Sequence, residues 1–211
     1  VGPIPSRLTV TVRNPRNSNV NRQIHALLST VGQQKVDAMK QRILEINPEC
    51  DVVALKMFYT EETYEEFFAQ NPDFVIDASD TIIYKIHLMK ECLKRGIPMI
   101  SSMGAANKMD PTRFQIADIS KTHTDPLAKV IRTKLRKEGI HKGIPVIFSD
   151  ESPIVPKMEV TKEVGNQDAE IRKAKFPPSS NAFVPSAAGL IAASWVVKEA
   201  LKDIKLTRVN D

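Results

Sequence analysis

Alternation between strand-like and helix-like segments constrains the fold of this 211-residue chain more than any other feature of its sequence. Apolar runs typical of strands occur at residues 8–12, 51–58, 74–76, 97–100 and 144–148. Between them, apolar residues recur at three- and four-residue steps, as from Val36 to Met39 and Ile43, which marks one face of a helix. Strands that alternate with helices imply crossover units and a parallel sheet. We therefore predict an α/β fold with a doubly wound, mostly parallel sheet and helices on both faces.

The pattern changes after Met109. Residues 113–119 alternate like a further strand, residues 125–137 are typical of a basic helix, and residues 185–201 are typical of an apolar closing helix. Residues 149–180 are polar, contain proline and lack periodicity, which is typical of a long mobile loop or crossover. We expect a single domain over the whole chain, with the additional strands and this crossover in its C-terminal part.

Cysteine content and hydropathy indicate the cellular compartment in which the protein works. The chain has two cysteines, Cys50 and Cys92, and its first seven residues are too short and too proline-rich for the apolar part of a secretion signal. This favours a reducing compartment, so we expect a cytoplasmic protein. The longest apolar run, residues 187–197, is shorter than the ~20 residues that cross a bilayer, so we expect no membrane span.

Polar clusters follow three of the predicted strands, at residues 19–23, 77–80 and 101–107, and a fourth at residues 32–35 opens a helix. Ligands bind beyond the carboxyl ends of parallel strands, and a helix N-terminus favours an anion. Arginine and lysine neutralise phosphate oxygens, and aspartate holds Mg²⁺. In outline this is a site for a nucleoside triphosphate, although each cluster alone is equally typical of helix capping or of solvated surface charge.

Two linked series of motifs resemble a known family. The sequences NVNRQ at 19–23, GQQKV at 32–36, INP at 46–48 and VIDASD at 75–80 resemble the ubiquitin-activating-enzyme-like, ThiF/MoeB-type adenylyltransferases. Within that superfamily, NRQIHAL at 21–27, SMGA at 102–105, DPT at 110–112 and KTHTDPL at 121–127 resemble the tRNA threonylcarbamoyladenosine dehydratases. The resemblance implies a Rossmann-like sheet and an enzyme that uses ATP and Mg²⁺.

Specific roles for the ATP-binding residues follow from this resemblance. Arg22 would contact the terminal phosphates, with Asn21 and Gln23 shaping its loop. Lys35 would bind phosphate and stabilise the departing pyrophosphate. Asp77 would hold Mg²⁺, with Asp80 as a neighbouring candidate. Arg22, Lys35 and Asp77 would thus be the catalytic residues.

The same resemblance implies the reaction and the partners. The carboxylate of a threonylcarbamoyl group on tRNA would attack the α-phosphate, and an internal nitrogen would then close a ring and expel AMP. The net charge of +5 permits contact with nucleic acid. Basic side chains that would neutralise tRNA phosphates, or else solvate a helix face, are Arg132, Lys134, Arg136, Lys137 and Lys142. A homodimer is implied, and a cysteine desulfurase or sulfur-acceptor system is left open as a further partner.

The sequence departs from the family at its start. A glycine-rich phosphate loop is absent, because Gly2 and Pro3 cannot replace several glycines, and Arg13 and Arg16 stand where carboxylates are expected before Asn19. We expect the chain to begin after the first β-α unit, and these 211 residues alone to bind ATP weakly.

Two alternative functions remain open. One is an adenylyltransferase that activates the C-terminus of a ubiquitin-like sulfur carrier, and the other is a non-catalytic dimeric remnant of the fold. Two isolated cysteines cannot supply the two Cys-x-x-Cys pairs with which some relatives hold zinc. Both thiols are more typical of buried filling residues than of a nucleophile.

Overall fold

The computed structural model describes residues 7–11, 19–155 and 178–204. The chain divides into two compact units. Unit 1 consists of Val1–Val75 with Ser79–Ile97, and unit 2 of Ile76–Ala78 with Pro98–Asp211. Each unit contains a sheet with parallel strands.

Unit 1 is built around a parallel strand pair joined by a helix. Strand β1 (Arg7–Thr11) pairs with β2 (Asp51–Leu55), and helix α1 (Lys35–Ile46) lies between them in the chain. Two further helices follow, α2 (Tyr64–Phe68) and α3 (Ile82–Arg95). Helix α3 ends at Gly96, whose φ of 67° is left-handed and therefore suits a residue without a side chain.

Unit 2 contains a four-stranded mixed sheet. Its strands are β3 (Val75–Asp77, of which the last two residues belong to this unit), β4 (Met99–Ser102), β5 (Phe114–Asp118) and β6 (Pro145–Ser149). Their order in the sheet is β3-β4-β6-β5, with β4 parallel and β5 antiparallel to β6. The antiparallel edge strand sets Ile116 opposite Ile147.

Two helices complete unit 2. Helix α4 (Pro126–Lys137) is capped by Asp125, whose side chain accepts a hydrogen bond from the amide of Ala128, and proline occupies the first helical position. Helix α5 (Phe183–Ala200) packs on β4 and β6. The apolar cluster between them consists of Ile100, Phe114, Ile147, Val184, Ala188 and Ala192. Full burial of an isoleucine or phenylalanine side chain contributes about 1.5–3 kcal/mol, so this cluster holds α5 against the sheet.

The predicted fold class is confirmed: the chain is α/β with mostly parallel strands. Residues 61–70 are acidic and typical of a short helix, but α2 covers only Tyr64–Phe68. The hydroxyls of Thr60 and Thr63 accept hydrogen bonds from the amides of Glu62 and Thr60 and hold a turn before it. Of the loop expected at 149–180, Ser149 belongs to β6, and residues 156–177 lie outside the described residues. None of the helices in the described part of the chain is long and apolar enough to cross a membrane.

Candidate functional site

The carboxyl end of β3 carries the first of the two predicted Mg²⁺ ligands. Asp77 is the last residue of the strand and is only 2% exposed. The hydroxyl of Ser101 on the neighbouring strand β4 donates a hydrogen bond of 2.7 Å to its carboxylate. Asp80, three residues further along the chain, is exposed. It does not cap α3, since the cap residue is Thr81 and no side-chain cap bond is made there.

The predicted phosphate-binding residues lie in unit 1. The amides of Arg22 and Gln23 donate to the carbonyl of Asn19, which folds the segment into a tight turn, and the Arg22 guanidinium donates to the side chain of Asn21 at 3.1 Å. Lys35 is the first residue of α1, so its backbone stands at the positive end of the helix dipole. Unit 1 therefore contains an arginine in a tight turn and a lysine at a helix N-terminus, and both positions favour the binding of an anion.

His25 lies in the same segment as Arg22 and is partly buried. Burial lowers the pKa of His25, and the charge of Lys35 at the start of α1 lowers it further. Lys35 itself is 8% exposed.

Lys108 occupies the loop that follows β4 and is nearly fully buried, with 3% exposure. Its ammonium donates to the carbonyls of Glu151 at 2.8 Å and of Ser149 at 3.3 Å, and lies 3.9 Å from the Asp125 carboxylate. Burial lowers the pKa of Lys108 and raises that of Asp125, while each charge opposes the shift of the other. The loop after β4 is thus tied to the end of β6 and to the start of α4.

Glu151 also binds the loop that carries Lys108. Its carboxylate accepts hydrogen bonds from the amides of Met109 and Asp110, at distances of 2.9–3.1 Å. Lys108 therefore binds the backbone at Glu151, and Glu151 binds the backbone after Lys108. We call these two residues, with Ser149 and Asp125, the ionic cluster of unit 2.

Asn107 makes a second set of links from the same loop. Its φ of 59° is left-handed, a conformation that asparagine tolerates better than most residues. Its carbonyl accepts from the amide of Ile154 and its amide donates to the carbonyl of Ser179, both at 2.7 Å. Its side-chain oxygen accepts from the amide of Ser179 at 2.8 Å. One residue therefore holds two points of the chain that are far apart in sequence.

The basic residues predicted to contact tRNA differ in their surroundings. Lys134, Arg136, Lys137 and Lys142 are exposed, and the first three lie in the last turns of α4. Arg132 is partly buried, and its guanidinium donates to the carbonyl and the hydroxyl of Thr122. Arg132 is thus committed to holding the segment before α4, whereas the other four present their charge to solvent.

The two thiols also differ. Cys92 is fully buried within α3 and Cys50 is partly buried before β2. A buried thiol cannot reach an acyl group on a macromolecular substrate, so Cys92 is not a candidate nucleophile. Across the described residues, no group of three or more His, Cys, Asp and Glu side chains is arranged to hold a metal ion.

Lys108, Asp125 and Glu151 were missed as individual site residues by reasoning from the sequence. The signal for Asp125 is the Asp-Pro pair that opens α4, because aspartate caps helices and proline suits their first turn. Lys108 stands in a polar run after a strand, where any of several residues could bind a ligand. Nothing local marks Glu151, since its partners lie about forty residues away in the chain.

Known proteins resemble this chain over most of its length. The ThiF family model matches residues 16–209. The tRNA threonylcarbamoyladenosine dehydratase of Bacillus subtilis is 77% identical over 194 residues, which cover 92% of this chain and 76% of that protein. The enzyme of the same name from Escherichia coli is 33% identical over 194 residues, covering 87% of this chain and 72% of its own length.

A solved structure agrees with these relatives. The crystal structure of the Escherichia coli tRNA N6-threonylcarbamoyladenosine dehydratase in complex with ATP matches with a TM-score of 0.81 and 29% identity, over 93% of this chain and 76% of that one. The Rossmann-like fold and the family resemblance expected from the motifs are thereby confirmed. The chain belongs to the ThiF family and, within it, to the family of the tRNA threonylcarbamoyladenosine dehydratases.

Proposed function

We propose that this chain carries out the ATP-dependent dehydration of threonylcarbamoyladenosine in tRNA by way of a carboxyl adenylate. The observation that carries the proposal is the 77% identity to the Bacillus subtilis enzyme over 92% of the chain. Identity at that level leaves little room for a change of substrate. The structure of the Escherichia coli relative in complex with ATP supports ATP as the co-substrate.

The chemistry requires two steps. In the first, a carboxylate oxygen of the threonylcarbamoyl group forms a bond to the α-phosphorus of ATP, and the bond to pyrophosphate breaks. In the second, an internal nitrogen attacks the activated carbonyl carbon, loses its proton, and AMP leaves. The net change in the nucleoside is the loss of one water. Adenylation is needed because a free carboxylate is a poor electrophile, and both steps depend on neutralising phosphate charge.

The residues of unit 1 supply that neutralisation in the proposal. Arg22 binds the terminal phosphates, with Asn21 and Gln23 forming its turn. Lys35 stabilises the departing pyrophosphate from the start of α1, where the positive end of the helix dipole adds to its charge. These groups bind the triphosphate and need no proton transfer of their own.

Mg²⁺ is the counter-ion that ATP ordinarily brings, and the two predicted carboxylates fit it unequally. Mg²⁺ takes oxygen ligands and keeps several waters, which requires an accessible carboxylate. Asp80 is exposed and meets this requirement, whereas Asp77 is 2% exposed and accepts a hydrogen bond from Ser101. We therefore assign the Mg²⁺ contact to Asp80 and give Asp77 the role of fixing β3 against β4. The ion would supply charge neutralisation at the phosphates.

The tRNA contact is proposed for the exposed end of α4 and the residue beyond it. Lys134, Arg136, Lys137 and Lys142 present positive charge to solvent. Such residues neutralise backbone phosphates in a salt-dependent way. Arg132 is removed from the direct contacts, because its guanidinium is bonded to Thr122.

A homodimer is also proposed. Helix α5 carries apolar residues on its exposed side as well as on its buried side, and Phe183, Leu190 and Val197 are 48%, 73% and 56% exposed. A helix that is apolar all round is normally covered on every side, and a second copy would cover this one. We do not include a cysteine desulfurase or sulfur-acceptor system, because nothing in the described residues favours one.

The proposal is tested with the purified protein, Mg²⁺, tRNA that carries threonylcarbamoyladenosine, and ATP at a concentration that offsets the weak binding expected from the sequence. After digestion to nucleosides, mass spectrometry should show the modified adenosine lighter by one water, with AMP and pyrophosphate released in equal amounts. Transfer RNA without the threonylcarbamoyl group is the control and should release no AMP. Failure to convert the modified tRNA, combined with pyrophosphate exchange that depends on a ubiquitin-like carrier, would favour the sulfur-carrier alternative.

Thiol substitutions separate a thioester mechanism from direct cyclisation. We expect Cys50→Ser combined with Cys92→Ala to retain turnover, because Cys92 is buried and the proposed steps need no thiol. Turnover of tRNA is measured together with circular dichroism. Loss of turnover in a well-folded double variant would contradict direct cyclisation.

A further inference from the structure

Lys108 connects three parts of unit 2 through a single buried ammonium group. The residue belongs to the loop after β4, yet its hydrogen bonds go to the carbonyls of Ser149 and Glu151 at the end of β6. Its third neighbour is the carboxylate of Asp125, at 3.9 Å. The side chains of Lys108 and Asp125 are 1% and 0% exposed, so this ion pair is shielded from water and from salt.

Asp125 carries the connection into α4. One of its carboxylate oxygens caps the helix by accepting from the amide of Ala128 at 2.9 Å. The other is buried, has no hydrogen-bond partner among the described residues, and lies nearest to Lys108. It also stands 3.6 Å from where a side chain on Gly104 would begin. The loop after β4 therefore lies directly against the first turn of α4.

A buried ion pair is a poor way to gain stability, because the cost of removing both charges from water offsets most of their attraction. Apolar residues of similar size would hold the same segments together as firmly. An ion pair adds a fixed geometry, since each charge tolerates only a position opposite its partner. In this pair the geometry defines where α4 begins relative to the carboxyl ends of β4 and β6, the edge where ligands of such sheets bind.

We propose that Lys108 and Asp125 are positioning residues for the tRNA substrate, which set the basic end of α4 relative to the ligand-binding edge of the unit 2 sheet. The inference rests on the proposed function, in which Lys134, Arg136 and Lys137 contact tRNA. The modified base must reach this edge of the unit 2 sheet while the tRNA phosphates stay on α4. A displacement of about 1 Å at this junction is enough to lower the rate strongly.

The test uses three variants of the whole protein: Lys108→Met, Asp125→Asn, and both together. Asparagine keeps an oxygen for the helix cap, and methionine keeps the length of the lysine side chain. The matched control is Asp150→Asn, which breaks the exposed ion pair with Arg113 but keeps the hydrogen bonds of Lys108 to the carbonyls of Ser149 and Glu151. For each protein the KM values for tRNA and for ATP are measured, with tRNA affinity by filter binding and thermal stability.

We expect the Lys108→Met variant to raise the tRNA KM about tenfold, with the ATP KM changed less than about twofold. The double variant should regain most of the thermal stability, since no unpaired charge remains, but should keep the raised tRNA KM. The control should match the wild type. A normal tRNA KM in the double variant, or equal rises in both KM values, would reduce the pair to a structural role and overturn the inference.

Failure of the proposed function gives a different result. In that case the wild type itself does not convert modified tRNA, and no KM can be measured for any variant. The filter-binding comparison still applies, because an unchanged tRNA affinity in the double variant would then overturn the positioning role as well.

Discussion

Each of the two units contains a distinctive side-chain cluster, and the two clusters stabilise their surroundings by different interactions. In unit 1, an aromatic cluster brings Tyr59 and Tyr64 against Phe67, Phe68 and His87, with ring centres 4.9–6.5 Å apart. In unit 2, the ionic cluster brings Lys108 together with Asp125 and Glu151.

The two clusters differ in how much stability is lost when one of their residues is substituted. Each aromatic contact is a small increment among several, so removing one leaves the others intact. In the ionic cluster, removing one partner strands a buried charge without compensation. Unit 1 should therefore lose stability in steps, whereas unit 2 should depend strongly on single residues.

The largest effect is expected for Lys108→Met, which leaves the Asp125 carboxylate buried and unpaired. We expect the free energy of unfolding of unit 2 to fall by about 3–5 kcal/mol. Addition of Asp125→Asn should restore most of it, because the two changes are coupled through direct contact. Urea unfolding of the single and double variants measures this coupling. Additive losses would show that the two charges do not act as a pair.

The second effect concerns polar groups of unit 1, which we assign to function rather than to stability. Arg22→Ala or Lys35→Ala should slow adenylation at least tenfold, or about 1.4 kcal/mol, while the fold is kept. Formation of AMP under single-turnover conditions measures the rate. Lys40→Ala, an exposed lysine on the same helix, is the control and should leave it unchanged. Normal rates in both variants would remove Arg22 and Lys35 from the site.

A smaller effect is expected within the aromatic cluster. Tyr59→Phe keeps the ring contacts but removes the hydrogen bond of 2.9 Å between the Tyr59 hydroxyl and Nδ1 of His87. We expect a loss of about 1 kcal/mol in the free energy of unfolding, the usual net value of one such bond. Chemical denaturation measures it, with Tyr84→Phe on α3 as the control. A loss as large as that of Lys108→Met would erase the distinction between the clusters.

The smallest effect is a dependence on pH. The folded protein lowers the pKa of His25 below its ordinary 6.5, chiefly through burial, so the unfolded chain takes up the proton first. The stability that the neutral ring contributes is therefore complete above about pH 6.5 and is lost as the pH falls below it. We expect His25→Asn to lose less stability than the wild type between about pH 7.5 and about pH 5.5. Urea unfolding at each pH measures the free energy of unfolding. The same dependence of that free energy on pH in the wild type and in His25→Asn would contradict this prediction.

The fold was largely predictable because its signals are local. The apolar steps in residues 35–46 and 82–95, together with Asn47-Pro48 and Gly96, are enough to place two helices and their ends. Most strand bounds shifted by one or two residues, and the strand predicted at 51–58 ends at Leu55, because an apolar run does not say where its hydrogen bonds stop. The shorter helix α2 depends on hydroxyl contacts of Thr60 and Thr63 that compete with helix formation.

The candidate site was only partly predictable. Motif resemblance picked out Arg22, Lys35 and Asp77 by their neighbours in the chain, but it could not tell that Asp77 is buried and Asp80 exposed. Similarly, the run of basic residues in the sequence does not indicate that the guanidinium of Arg132 donates a hydrogen bond to Thr122. The ionic cluster could not be predicted from the sequence, since its residues come together only through the order of the strands in the sheet.

Asn107 has a consequence for how this protein can vary in length. Because it bonds both Ile154 and Ser179, these two points are both fixed to the loop after β4 whatever number of residues joins them. The entropy of closing a chain between fixed ends grows only with the logarithm of its length, and each doubling costs about 0.6 kcal/mol. Insertions and deletions between these two points should therefore leave the fold of unit 2 almost unaffected.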